Sequence, residues 1–209
     1  MRRILFGLLA LAMVIGMTGL ALAGPEHDHG EKPAAEEQAG SHEAEMMEMW
    51  AKLAVPGEHH AHMAKTVGTW DFKGEFWMTP DSPAMESHGT AVVESILGGR
   101  FFQMTADNNM MGQSIQSLGI EGYDNGQKKH IGVWFDTMGT LMATAEGDCS
   151  DGGKVTTTYM SFFDPSIGKD RKYKNVVTLV DDDHMTFESY EMDGDGGERR
   201  MMIITYTRK

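Results

Sequence analysis

Cys149 is the only cysteine in the chain, so no intrachain disulfide can form in any redox compartment. Basic residues are scarce too: 18 Lys and Arg stand against 31 Asp and Glu, a formal net charge of −13. Such a surface repels nucleic acid and anionic lipid and favours cations or basic partners. Residues 24–45 contain no Phe, Trp or Tyr and are dominated by Ala, Glu, His and Gly, so this stretch cannot bury enough apolar surface to fold alone. Signals of catalysis are also lacking. Glu94, Asp136, Glu146 and Glu188 are scattered carboxylates without a nucleophile–base pairing, and the glycines at 98–99 and 194–197 precede no helix that could hold a phosphate. An enzyme is therefore not the expected class. Cys149 lies in a run, Glu146-Gly147-Asp148-Cys149-Ser150-Asp151-Gly152-Gly153, that reads as a polar turn. Its acidic neighbours should raise the thiol pKa and leave it an incidental group.

What is present begins with an export signal. Arg2 and Arg3 form a positive n-region, residues 4–22 are almost wholly apolar, and Ala21-Leu22-Ala23 is the small-x-small pattern of signal peptidase. An apolar run of about 19 residues could also span a bilayer, but Gly7, Gly16, Gly19 and the Ala-x-Ala end favour cleavage after Ala23. Cleavage moves the formal charge to −15, and no Cys follows to carry a lipid. The expected location is the periplasm or the outside medium, with no membrane attachment after cleavage. The expected organisation is a signal peptide over 1–23, an acidic His- and Met-bearing leader over 24–57, and one barrel domain over 58–209.

The leader should hold a short helix over 44–53, where Met46, Met47, Met49, Trp50 and Leu53 form an apolar stripe that Pro56 and Gly57 end. A second helical turn is expected over 58–66. From Trp70 onward the pattern becomes short β-rich runs separated by Gly, Asp, Asn and Pro. Strands are expected over 69–78, 87–96, 100–106, 113–123, 129–136, 140–146, 154–162, 172–181, 184–192 and 198–208. In the first, Trp70, Phe72, Gly74 and Phe76 alternate with Thr69, Asp71, Lys73 and Glu75, so one face is buried and the other wet. About ten strands joined by tight turns, with no long helix to cover a face, close most economically into an all-β antiparallel barrel. A polar outer face argues against a barrel that spans a membrane.

A short helix running into Gly68-x-Trp70, with Arg208 near the end of the last strand on the face of Tyr206, resembles the closure signature of the calycin superfamily, which includes the lipocalins. First and last strands must pair to close a barrel, and a guanidinium can stack on an indole there. Trp70 and Arg208 are on this reading structural. More closely, Leu97-Gly98-Gly99-Arg100-Phe101-Phe102, Gly122-Tyr123-Asp124, Val133-Trp134-Phe135-Asp136, Phe187-Glu188-Ser189-Tyr190 and Ile204-Thr205-Tyr206-Thr207-Arg208 resemble the DUF1579 family of uncharacterised bacterial proteins, over residues 58 to 209. The resemblance implies a lipocalin-like fold and no particular activity.

Three groups of residues could carry function. Strand parity puts Phe72, Phe76 and Tyr206 inside the barrel, with Met202, Ile204 and either Trp134 or Phe135. With polar groups such as Arg100 and Tyr159 they would suit a small hydrophobic or amphipathic molecule, the expected partner. The alternative is a divalent metal or copper. Six of the nine histidines fall in residues 27–62, and His27-Asp28-His29 and His59-His60-Ala61-His62 could ligate Zn²⁺ or Cu²⁺. On a helix, His59 and His62 would share a face. The 19 methionines, three of them in the signal segment, include Met46-Met47, Met110-Met111 and Met201-Met202; they could serve copper, but packing is the expected role. Haem bound through one His is known in a related barrel group and would call on His130 or His184; strand histidines are more often on the surface, so haem is not expected. The acidic turns at 181–183 and 193–195 lack the ligand ladder of a Ca²⁺ loop.

Overall fold

The computed structural model describes residues 34–209 apart from Pro80, with side chains described from residue 40 onward. The expected cleavage site, His27 and His29 lie outside the described residues. The chain divides into two compact units at Glu43 and Ala44. As far as it is described, the first is the opening half of a helix; the second, Ala44–Lys209, contains the barrel.

Helix α1 spans Ala34–Leu53 and α2 spans Glu58–Ala64. The first begins ten residues earlier than expected. Ala34, Ala35, Glu36, Glu37, Gln38 and Ala39 are strong helix formers, and a helix needs no aromatic to extend. Ten strands follow: β1 Gly68–Phe76, β2 Met85–Ile96, β3 Phe101–Met110, β4 Gln113–Asp124, β5 Lys129–Asp136, β6 Ala143–Ser150, β7 Val155–Asp164, β8 Lys169–Leu179, β9 His184–Met192 and β10 Glu198–Arg208. Each pairs antiparallel with its neighbour in sequence, and β1 pairs with β10, so the sheet is a closed ten-stranded barrel without a free edge.

Residues paired across an antiparallel ladder point to the same side, so the register fixes what faces the lumen. Phe72 lies between Tyr206 and Gly89, and Phe102 between Ser95 and Glu121. Trp134 pairs with Gly119 and Ala143. The tightly buried cluster is Trp70, Phe72, Ala91, Val93, Phe102, Met185 and Tyr206, drawn from β1, β2, β3, β9 and β10. On the opposite wall, β4 to β7, the inward positions mix large apolar residues, Ile115, Trp134 and Met160, with small or polar ones, Ser117, Gly119, Gly132, Ala145 and Thr158. The outer surface is not uniformly polar either. Leu118, Ile120, Val133 and Phe135 point outward on β4 and β5.

One end of the barrel is capped by α2, which packs on β3, β4 and a 3-10 turn at Asp151–Gly153. Side-chain hydrogen bonds to the backbone at both ends of it hold it there. Trp70, fully buried, donates from Nε1 to the Thr66 carbonyl at 2.9 Å. Asn125 Nδ2 donates to the Leu53 and Val55 carbonyls at 2.8 and 2.9 Å, which satisfies the C-terminus of α1 and fixes the approach to α2. Across the barrel, at the other end, Arg171 bridges Asp164 and Glu191, and Glu191 is shared with Arg199.

Candidate functional site

The ladder between β6 and β7 sets Cys149 opposite Thr156, on the same face as Gly147 and Ala145. Cys149 is therefore the last inward residue of a strand, not part of a turn; the turn begins at Asp151. Its Sγ is 3.1 Å from Nδ1 of His59, which α2 lowers onto the barrel end. One donor atom from each of His59, His62 and Cys149 can be chosen so that all lie within 4.8 Å of one another. Gly153, at φ 82°, makes room for this: a Cβ there would run into the His62 ring. Burial, then the charges of Asp148 and Glu58, push the Cys149 thiol pKa up.

A second layer surrounds the three. The His59 ring stacks on Tyr123 at 3.8 Å with a 9° interplanar angle, and meets His130 edge-on at 5.4 Å. His130 is 4% exposed and points inward from β5, paired with Tyr123 and Gly147, which corrects the expectation of a surface histidine. Burial, then the neighbouring His59, pushes its pKa down to about 4. Its Nε2 is buried without a hydrogen-bond partner among the described residues, as is Nδ1 of His62. His60 stands apart from this trio. Its Nδ1 accepts the Gly57 N–H at 3.0 Å as part of the α2 cap, and burial, then His59, lowers its pKa. His184 is exposed and pairs with Asp181.

The lumen behind this cap contains an acid that sequence parity did not single out. Glu121 pairs with Phe102 and Gly132, so it points inward, yet its side chain is open to solvent-sized molecules. It has no hydrogen bond or ion pair among the described residues. Enclosure by the barrel wall pushes its carboxyl pKa up. Tyr206, 8% exposed, also has its pKa raised, first by burial and then by the charge of Glu121. Asn108 Oδ1 on β3 and Arg199 Nη1 on β10, unlike the open Glu121, are buried without a partner among the described residues. Unsatisfied inward polar groups on this scale call for a guest or solvent.

The residues expected to line the lumen divide. Phe72 is buried and packs on Tyr206 at 5.5 Å between ring centres. Phe76 faces inward near the other end, paired with Met202 and Met85. Trp134, not Phe135, is the inward residue of its pair, and its Nε1 donates to Asp136 Oδ2 at 3.3 Å. Two expectations are corrected. Tyr159 faces outward, opposite Glu146, and is 51% exposed, because the ladder gives the inward positions of β7 to Thr158 and Met160. Arg100 precedes β3 in an exposed turn, where its Nη1 donates to the Leu97 carbonyl at 3.2 Å. It lines an open cleft of about 540 Å³ outside the lumen, with Trp50, Leu53, Phe101 and Tyr123.

At the seam, Arg208 pairs with Trp70, its guanidinium 4.1 Å from the indole centre. The alternation of Ala143, Ala145, Gly147 and Cys149 with Thr144, Glu146 and Asp148 was the signal for an inward Cys149. The glycines and aspartates around it read as a turn and hid it.

Two solved structures share this architecture. Rv2717c from M. tuberculosis superposes with a TM-score of 0.54 at 12% identity, covering 74% of this chain and 99% of that one. The S-type phycobiliprotein lyase CPES from Guillardia theta gives 0.50 at 8% identity, covering 73% and 93%. At such identities the likeness is one of fold. No curated protein matches the sequence. The family described as "Protein of unknown function (DUF1579)" matches residues 55–208, the whole barrel with its capping helix, and the chain belongs to that family.

Proposed function

We infer that the protein is an exported binding protein whose barrel holds a small amphipathic molecule, with a cationic or hydrogen-bond-donating group set against Glu121. One observation carries the reading: Glu121 points into the lumen, open to small molecules, and no side chain answers it. Enclosure by the barrel wall raises the carboxyl pKa, so the charged form of Glu121 bears part of a desolvation cost even though solvent reaches it. A guest that supplies a positive charge or an N–H removes that cost, while the apolar groups Phe72, Trp134 and Met160 receive the rest of its body. The small inward residues around Glu121, Gly119, Gly132 and Ala145, support a guest of modest size. The fold shared with the phycobiliprotein lyase is compatible with this use and names no ligand.

Export rests on the n-region, apolar run and Ala-x-Ala end of residues 1–23. Sequencing the N-terminus of protein recovered from the envelope or medium should find Gly24. For the lumen, a cationic amphiphilic dye and an anionic one of equal size are titrated into wild type and Glu121→Gln. The cationic dye should bind more tightly to wild type and lose at least tenfold in the variant. Equal binding of both dyes, unchanged by the substitution, would sink the assignment.

A further inference from the structure

We propose that His59, His62 and Cys149 form a site for one thiolate- and imidazole-binding metal ion of the Zn²⁺ or Cu⁺ kind, with the fourth position left to His130 or to water. The site is separate in chemistry from the lumen carboxylate, and neither reading depends on the other.

The donor set comes first. One thiol and two imidazoles, each from a residue only partly exposed, meet where α2 closes the barrel. Metal–sulfur bonds of about 2.3 Å and metal–nitrogen bonds of about 2.0 Å at tetrahedral angles place donor atoms roughly 3.3–3.7 Å apart. His59 Nδ1 and Cys149 Sγ, at 3.1 Å, are already near that spacing, and all three donors lie within 4.8 Å. Closing on an ion needs side-chain rotation on the scale of an ångström. Among the described residues no carboxylate lies within reach of all three donors, although Glu58 Oε1 comes within 3.8 Å of His62 Nε2, and this disfavours Ca²⁺ and Mg²⁺.

His130 strengthens the case. It is 4% exposed, its ring centre is 5.4 Å from that of His59, and its Nε2 has no partner among the described residues. A buried imidazole nitrogen left unpaired is destabilising, and a metal bond would answer it. His62 Nδ1 is buried and unpaired in the same way. Tyr123, stacked on His59, holds that ring in its orientation. Binding replaces the thiol proton of Cys149 with the metal, and the proton leaves to solvent. Since His59 and His62 sit on α2 and Cys149 on β6, the ion would latch the capping helix to the barrel wall.

The test uses the full-length mature chain, reduced, with His27, His29 and His42 replaced by Ala to remove the leader imidazoles. Co²⁺ is titrated as a spectroscopic stand-in. One equivalent should produce the visible bands of a tetrahedral site together with a thiolate-to-cobalt charge-transfer band, and Zn²⁺ should then displace it. The free Zn²⁺ and free Cu⁺ concentrations that each halve the cobalt bands, compared with one another, distinguish the two natural candidates. Cys149→Ser should abolish the charge-transfer band, and His59→Ala and His62→Ala should each weaken binding by at least tenfold. His60→Ala, whose ring is engaged in the α2 cap, should leave binding unchanged. If this chain, its barrel residues all intact, binds Co²⁺ without a thiolate band, or not at all, the proposal is overturned without recourse to any substitution in the site.

Discussion

The guanidinium of Arg208 lies 4.1 Å from the centre of the Trp70 ring and also donates to three carbonyls, those of Lys65, Val67 and Asp182, at 2.7–2.8 Å. One side chain thus joins the last strand, the first strand, the end of the α2 segment and the β8–β9 turn. Gly68, at φ 146°, leaves the space it occupies, since a Cβ there would meet the guanidinium. Lysine has the charge but not the planar fork. Arg208→Lys should therefore lower unfolding free energy by about 2 kcal/mol, from lost carbonyl bonds and stacking, measured by urea denaturation. A change within error would mean that the seam closes without this residue.

Glu121 yields a prediction of opposite sign. Its carboxyl pKa is raised above the ordinary value of 4.5, so the folded state keeps the proton to higher pH than the unfolded one. Stability contributed by the protonated form is present at low pH and is lost as pH rises from 4.5 through the raised folded value. Glu121→Gln removes this dependence. The ligand-free variant should be more stable than wild type at neutral pH and equal to it in acid, as read from melting temperatures across the range. A carboxylate kept at a stability cost is the pattern of a functional site.

At the other end of the barrel the sign reverses again. Bonds from Ser166, then from Arg171, hold Asp164 down to about 2. Its contribution is fully present above the ordinary value of 3.8 and disappears as pH falls toward about 2. Asp164→Asn should flatten that part of the acid limb, so that the stability difference from wild type shrinks steadily below pH 3.8. A constant difference through that window would show that Asp164 acts by packing alone.

Much of this molecule could be read before its structure was known. The strands at 129–136, 184–192 and 198–208 coincide with β5, β9 and β10, since their ends carry Asp and Gly turns that no ladder can absorb. The tail of β3, Asp107 to Met110, was not legible, because Asn108 and Asn109 look like turn residues and are held extended by pairing with Gly89 and His88. The site was harder. On β4 the usual pattern is inverted: Leu118 and Ile120 face outward while Ser117, Gly119 and Glu121 face the lumen. An interior that leaves Glu121 open to solvent tolerates polar groups there, so hydrophobic parity loses its meaning on that wall. The histidines of α2 were visible as a cluster. Only the ladder reveals that Cys149 and His130 arrive beneath them.

Gly153 tests the cap and the metal site together. Its φ of 82° is a conformation that alanine adopts at a cost of about 1–2 kcal/mol, and the added methyl would also push the His62 ring aside. Gly153→Ala removes no donor atom and leaves the lumen untouched. If His62 is a ligand, Co²⁺ affinity should drop by roughly tenfold, as for substitutions that disturb ligand orientation, while dye binding at Glu121 changes little. If α2 is merely packed on the barrel, the variant loses thermal stability and binds metal as wild type does. Pairing it with Gly152→Ala, a neighbouring left-handed glycine at φ 62° with nothing near its would-be Cβ, isolates the backbone cost. The excess effect of Gly153→Ala over Gly152→Ala then reports the displacement of His62 alone.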